Sequence, residues 1–217
     1  MSVSKKDRNG RRKARSTGAR FDGPDLGYYL IVTDTKETEQ NYMNGLRDSI
    51  PENLKRRLII KVRNTETNNL VNETLSKAAL HLQYVEPWIV FDRDQVPKFD
   101  EIIQLAQNSG IRVAWSNPCI EIWFSAYFNA MPNYQSSVEC CSGFDETYRK
   151  RTGHKYKKSD EQIYNKLCKY GDETVAIQLA ESKVKAQIKD KKLKPSEMCP
   201  ATTMYGLVSE IKKKINN

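Results

Sequence analysis

The chain has 217 residues, 38% apolar and 29% charged, which suits one large soluble domain, or a core domain with an elaboration. No run approaches the roughly 18 consecutive apolar residues of a spanning helix, and no apolar stretch follows Lys5 and Lys6 to make a signal peptide, so a cytoplasmic protein with no membrane association is expected. The formal net charge is +9, but eight Lys and Arg stand against Asp7 alone in residues 1–20, so the basic excess sits mainly in a tail.

Residues 1–27 carry Gly10, Gly18, Gly23, Pro24 and Gly27 without apolar periodicity, and are expected to be a disordered basic tail that binds nucleic acid or docks a partner. Order is expected from "YYLIVTD" (Tyr28–Asp34), a β-rich run. "TKETEQNYMNGLRDSI" follows, with Tyr42, Met43, Leu46 and Ile50 at helical spacing and Pro51 as its stop. "RLIIKVR" (Arg57–Arg63) reads as a second strand, and "NNLVNETLSKAALHLQYV" as an amphipathic helix through Leu70, Val71, Leu75, Ala78, Ala79 and Leu82. "PWIVFDRD" is a third strand, "FDEIIQLAQNSG" a helix closed by Gly110, and "IRVAWS" a fourth strand. "NPCIEIWFSAYF" then opens a helix, with Asn117 as cap and Pro118 at its first position.

Strands alternating with helices over short connections call for a mostly parallel sheet covered on both faces. The continuous apolar runs "YLIV", "LII" and "WIVF" fit strands buried on both sides. After Asn129 the strand signals stop, and helices are expected near 144–151, 160–169, 173–191 and 202–215. The organisation read from this is a tail over 1–27, an α/β core over 28–130 and a helical C-terminal region over 131–217.

Cys119, Cys140, Cys141, Cys168 and Cys199 show no framework spacing, and with only His81 and His154 there is no CxxC or paired-His zinc pattern. Reduced, mostly buried thiols are expected.

In open α/β sheets ligands gather at the carboxyl ends of the strands, and the acids fall there. Asp34 ends the first strand, with Glu39 in the following helix; Asp92 and Asp94 end the third; Glu121 lies in the first turn after the fourth. Strand alternation would turn Asp92 and Asp94 the same way and Arg93 elsewhere. Clustered carboxylates repel unless a cation neutralises them, and hard oxygen ligands suit Mg²⁺ or Mn²⁺. Simpler roles stand beside this one. Asp34 with Glu37 fits a helix capping box, Glu39 and Glu121 fit helix-dipole acids, and D-R-D fits a polar turn.

The stretches "LIVTDTKETEQNYMNGL", "WIVFDRDQ", "SNPCIEIWFSAYF", "KSDEQIYNKL" and "PATTMYGLVSEI" resemble the RloB family of bacterial abortive-infection and phage-defence loci, whose fold is similar to a Toprim domain. The resemblance spans roughly residues 29–212, and "NPCIEIW" following "FDRD" is its most specific part. It implies a Mg²⁺-dependent nuclease, a toxic effector cutting RNA such as tRNA, or DNA. Asp34, Asp92 and Asp94 would hold the metal, with Glu39 and Glu121 as further catalytic candidates. Where relatives show Cys-Glu-Gly this chain reads Thr33-Asp34-Thr35; Asp reaches one methylene less far than Glu. The family is often encoded beside an ATPase, and since this chain has no GxxxxGK[ST] motif, energy and sensing would come from that separate polypeptide.

Nucleic acid needs positive charge around the acids. "YRKRTGHKYKK" offers Arg149, Lys150, Arg151, Lys155, Lys157 and Lys158, interleaved with Tyr148 and Tyr156 that could stack on bases. The lysines from Lys183 to Lys194 are a further candidate, or a solvated helix face. Two other readings stand: a non-catalytic Toprim-like module binding nucleotide, nucleic acid or the ATPase, and an unrelated phosphoacceptor receiver, against which the long helical extension speaks. A homo-oligomer is compatible with the sequence.

Overall fold

The computed structural model describes residues 25–34, 36–80, 85–94 and 96–216. The basic tail up to Pro24, and Leu82 of the second expected helix, lie outside the described residues. Five strands, β1 (Gly27–Thr33), β2 (Leu58–Asn64), β3 (Val85–Asp92), β4 (Arg112–Asn117) and β5 (Ala201–Thr202), form one sheet in the order β2-β1-β3-β4-β5. The first four are parallel and β5 runs antiparallel to β4. Among the described residues eight α-helices connect and cover them: α1 (Thr38–Asp48), α2 (Leu70–Ala79), α3 (Phe99–Asn108), α4 (Glu121–Ala126), α5 (Ser137–Thr152), α6 (Ile163–Tyr170), α7 (Glu173–Lys189) and α8 (Met204–Asn216). This is the expected α/β sheet flanked by helices, with the C-terminal helices following it.

Both sheet faces are covered, as the apolar strand runs require. Alternation divides them: Tyr29, Ile31, Trp88 and Val90 face a cluster with Tyr42, Leu46, Trp123, Phe144 and Leu207. Leu30, Val32, Ile89 and Phe91 face another with Leu70, Phe99 and Ile103. Helix α1 forms because Tyr42, Met43 and Leu46 recur on one face, all fully buried. Its Gly45 is required by packing, since a Cβ there would sit 2.5 Å from Tyr164 Cβ on α6. Among the described residues no helix is long and apolar enough to cross a membrane.

Four local expectations are corrected. Strands do not stop at Asn129, because β5 pairs Thr202 with Ser116 and Ala201 with Asn117; two residues are too short to carry a periodic signal. Asn117 does not cap a helix. It ends β4 with its side-chain amide donating to the carbonyls of Pro195 and Ser196, and α4 begins only at Glu121. Helix α5 starts at Ser137, ahead of the expected 144, because Ser136 accepts a hydrogen bond from the Glu139 N–H. Nor is Asp34 a helix cap, since α1 is preceded by Glu37 without any side-chain capping bond.

Candidate metal centre

Chain order fixes where a site can form. From β1 the chain winds outward to β2, then crosses back to β3 on the other side of β1. The carboxyl ends of β1 and β3 therefore flank the topological switch point, where open α/β sheets take their ligands. Thr33 pairs with Val90, so Asp34 and Asp92 emerge from neighbouring strands at the same edge. Asp92 continues the face of Trp88 and Val90, which turns it towards α1 and α4.

A cavity of about 400 Å³ opens at that edge, walled in part by Asp34, Glu39, Asp92, Asp94, Cys119 and Lys158. Glu39 is only 3% exposed although it lies in the first turn of α1. Its side chain and that of Asp92 are hydrogen-bonded to each other. Asp92 also accepts, at Oδ2, a 2.9 Å bond from the Ile120 N–H. Burial first, then the charges of Glu39, Asp34 and Glu121, push the Asp92 carboxyl well above the usual carboxylate range. Burial and the neighbouring Glu39 push Asp34 up to about 8. The Oδ1 atom of Asp34 is buried with no hydrogen-bond partner.

The two aspartates of the D-R-D stretch are not equivalent, because β3 ends at Asp92 and strand alternation does not reach Asp94. Asp94 sits in a turn at φ +24°, exposed at the rim, where its N–H donates to the Pro118 carbonyl and its Oδ1 accepts a 2.6 Å bond from the Ser137 hydroxyl. Arg93 does turn away, into a separate cavity with Lys98 and Asp100. Glu121 stands behind the cleft, buried, with Tyr156 donating to its Oε1 at 3.0 Å and Lys158 Nζ 3.9 Å from the same atom.

The donor type is the one a hard divalent cation takes. Asp34, Glu39 and Asp92 supply only oxygen, each stands within reach of another's charge, and an orphaned buried oxygen lacks the partner that such an atom normally has.

These acids and their supports fall within residues 29–211, the stretch that matches the model of the RloB-like protein family. The chain belongs to the RloB-like family. No curated protein and no solved structure matches it.

Among the described basic residues of this RloB-like chain expected to meet nucleic acid, only Lys158 walls the acidic cleft. Burial pulls its ammonium down, but Glu121 and the further negative charge around it outweigh this and hold its pKa above the ordinary value. Arg149 is paired to Asp145 at 2.7 Å, and Lys150, Arg151, Lys155 and Lys157 are exposed. Tyr148 and Tyr156 cannot stack on bases: both are buried, among Phe124 and Phe144. Sequence reasoning did not single out Ser137, whose role depends on where α5 begins; the S-x-x-E of Ser136–Glu139 was the available signal.

Proposed function

We propose that this chain is a divalent-cation-dependent nuclease, the toxic effector of a bacterial phage-defence system, hydrolysing phosphodiesters in RNA such as tRNA, or in DNA. The observation that carries this reading is the placement of Asp34, Glu39 and Asp92 around one cavity at the sheet's switch point, where burial and neighbouring negative charge raise the carboxyls of Asp34 and Asp92. Family membership supports it.

Asp34, Glu39 and Asp92, with Asp94 at the rim, would hold Mg²⁺ or Mn²⁺. When bound, the cation supplies Lewis-acid polarisation of a phosphoryl oxygen and a lowered pKa for a water. The chain's own groups do the rest. The Lys158 ammonium would offer the cleft's positive charge to a substrate phosphate, with exposed Lys155 and Lys157 nearby in the same loop. Should Asp34 stand free of the cation instead, its carboxyl, raised to about 8, would be placed to accept the proton of an attacking water. The Ile120 N–H and the Ser137 hydroxyl fix Asp92 and Asp94 so that neither swings away.

A free nuclease endangers its host. A separately encoded ATPase that holds this subunit inactive and releases it on infection would answer that need. The second reading, a non-catalytic module that binds nucleic acid or that ATPase, is favoured by Thr33-Asp34-Thr35, where a shorter Asp stands in place of Glu.

The deciding test uses the purified chain with Mg²⁺ or Mn²⁺, alone and with the ATPase encoded beside it, on RNA and DNA. Cleavage by wild type and none by a folded Asp92→Asn, Asp94→Asn double variant is the expected result. Identical behaviour of the two on every substrate and in cellular toxicity would leave the binding module as the answer.

A further inference from the structure

Behind the acidic cleft lies a second cluster of a different chemical kind. Cys119, in the turn between β4 and α4, faces Cys141 of α5 with its Sγ 4.0 Å from the other Sγ. A Glu121 carboxylate oxygen completes a set whose atoms all lie within 4.8 Å of one another. Cys119 and Glu121 are buried and Cys141 is half-buried. The spacing has a chemical meaning. A disulfide would need about 2.05 Å between sulfurs, whereas two thiolates on one tetrahedral zinc ion stand about 3.8 Å apart, given bonds of about 2.3 Å. The observed 4.0 Å excludes the first and leaves room for an ion between the sulfurs.

We propose that Cys119, Cys141 and Glu121 form a site for a thiophilic divalent cation, Zn²⁺, with a donor set different from that of Asp34, Glu39 and Asp92, at the wall that Cys119 gives to their cavity. Two sulfurs and one carboxylate oxygen make three protein ligands, and the fourth position is left to water or an incoming group. Soft sulfur donors select Zn²⁺ over Mg²⁺, so the two sites sort their cations by ligand type. The contacts of Tyr156 and Lys158 both fall on Glu121 Oε1, and Oε2 takes neither. Lys158, whose side chain is 56% exposed, can withdraw to solvent when the cation arrives.

The location gives the site a consequence. The turn that carries Cys119 also carries Ile120, whose N–H holds Asp92, and α5 carries both Cys141 and Ser137, whose hydroxyl holds Asp94. A cation bridging Cys119 to Cys141 clamps together the two elements that position the acids. Spacing along the chain gave no hint of it, because the ligands come from separate elements.

The test is a Co²⁺ titration of the reduced full-length chain in excess Mg²⁺. We expect a near-ultraviolet thiolate-to-cobalt charge-transfer band that saturates at one ion per chain and disappears when Zn²⁺ is added. It should be lost in Cys119→Ser and in Cys141→Ser, and be retained in Cys168→Ser, whose thiol is free and exposed. If Cys119→Ser does not fold, Cys141→Ser, at a half-buried position, decides alone. Absence of the band in wild type overturns the proposal, as does its survival in the cysteine variants. It must also survive in Asp92→Asn; its loss there would mean the ion sits in the cleft, not in a separate site. A chain that shows the band but cleaves nothing would count against the nuclease reading alone.

Discussion

Glu39, in the first turn of α1, and Asp92, the last residue of β3, are joined side chain to side chain by a hydrogen bond. Two carboxyl groups can share such a bond only if one of them keeps a proton. Without a cation Asp92, pushed up by burial and by the charges beside it, therefore holds a proton at pH values where isolated carboxylates have lost theirs, and a cation that binds it must expel that proton. Titrating the chain with Mg²⁺ or Mn²⁺ in buffers of different ionisation enthalpy should reveal proton release near pH 7, from Asp92 and from the similarly raised Asp34. Asp92→Asn should lower the release without abolishing it, because the Asp34 proton is still displaced. Heat that does not vary with the buffer would show that the cation displaces neither proton.

Burial and the Glu39 charge raise Asp34 from 3.8 to about 8, which fixes the sign of a stability effect. Below about pH 4 the folded and unfolded chains both carry this proton. Between there and about pH 8 only the folded chain keeps it, so the stabilising contribution is lost as pH rises through that window. The metal-free wild type should thus lose thermal stability from pH 5 to pH 8 more steeply than Asp34→Asn, read as the slope of Tm against pH. Cation at about 100 times its Kd adds about 2.7 kcal/mol, roughly 5–10 °C in Tm for a chain of this size. That gain should be lost in Asp34→Asn.

The strands were legible because continuous apolar runs such as "YLIV" and "WIVF" have one physical use, burial on both faces of a parallel sheet. Once the strand order is expected, the acids at the strand ends follow. The ranking within the site was not legible. Asp92 and Asp94 looked alike, but the strand stops between them, and the left-handed turn at Asp94 has no signature in the residue type alone. Glu39 looked like a surface acid at a helix N-terminus, and its burial depends on how α1 lies against the sheet. The aromatic residues Tyr148 and Tyr156 read as a stacking platform because their basic neighbours are exposed; burial of the rings beside Phe144 is a tertiary fact.

Asp94 is held at the rim by the Ser137 hydroxyl at 2.6 Å. Ser137→Ala removes that bond and leaves the cap of α5, which comes from Ser136, in place. A bond of this kind contributes ~0.5–1.5 kcal/mol, roughly two- to tenfold in cation affinity if Asp94 is a ligand. Calorimetry should show that weakening with little change in the metal-free Tm. Unchanged affinity would assign Asp94 a role outside the cation site.

Lys158 can serve the cleft in two ways, and nucleic-acid binding separates them. Its ammonium lies 3.9 Å from Glu121 Oε1 and walls the same cavity as Asp34, Glu39 and Asp92. If it contacts a phosphate, Lys158→Ala should lower affinity for single-stranded RNA or DNA and reduce the slope of log K against log salt by about 0.7, the value of one phosphate contact. Lys158→Arg should then restore most of it. If it only balances Glu121, the slope will not move and Lys158→Ala will be felt as a lower Tm. Arg149 and Lys150 give the contrast. They stand on the outer side of α5, with Arg149 already paired to Asp145. Replacing both by Ala should weaken binding through the salt-dependent part only, and leave the maximal cleavage rate at saturating substrate intact. Loss of that rate would move the substrate path from the Lys158 side of the cleft to the outer face of α5.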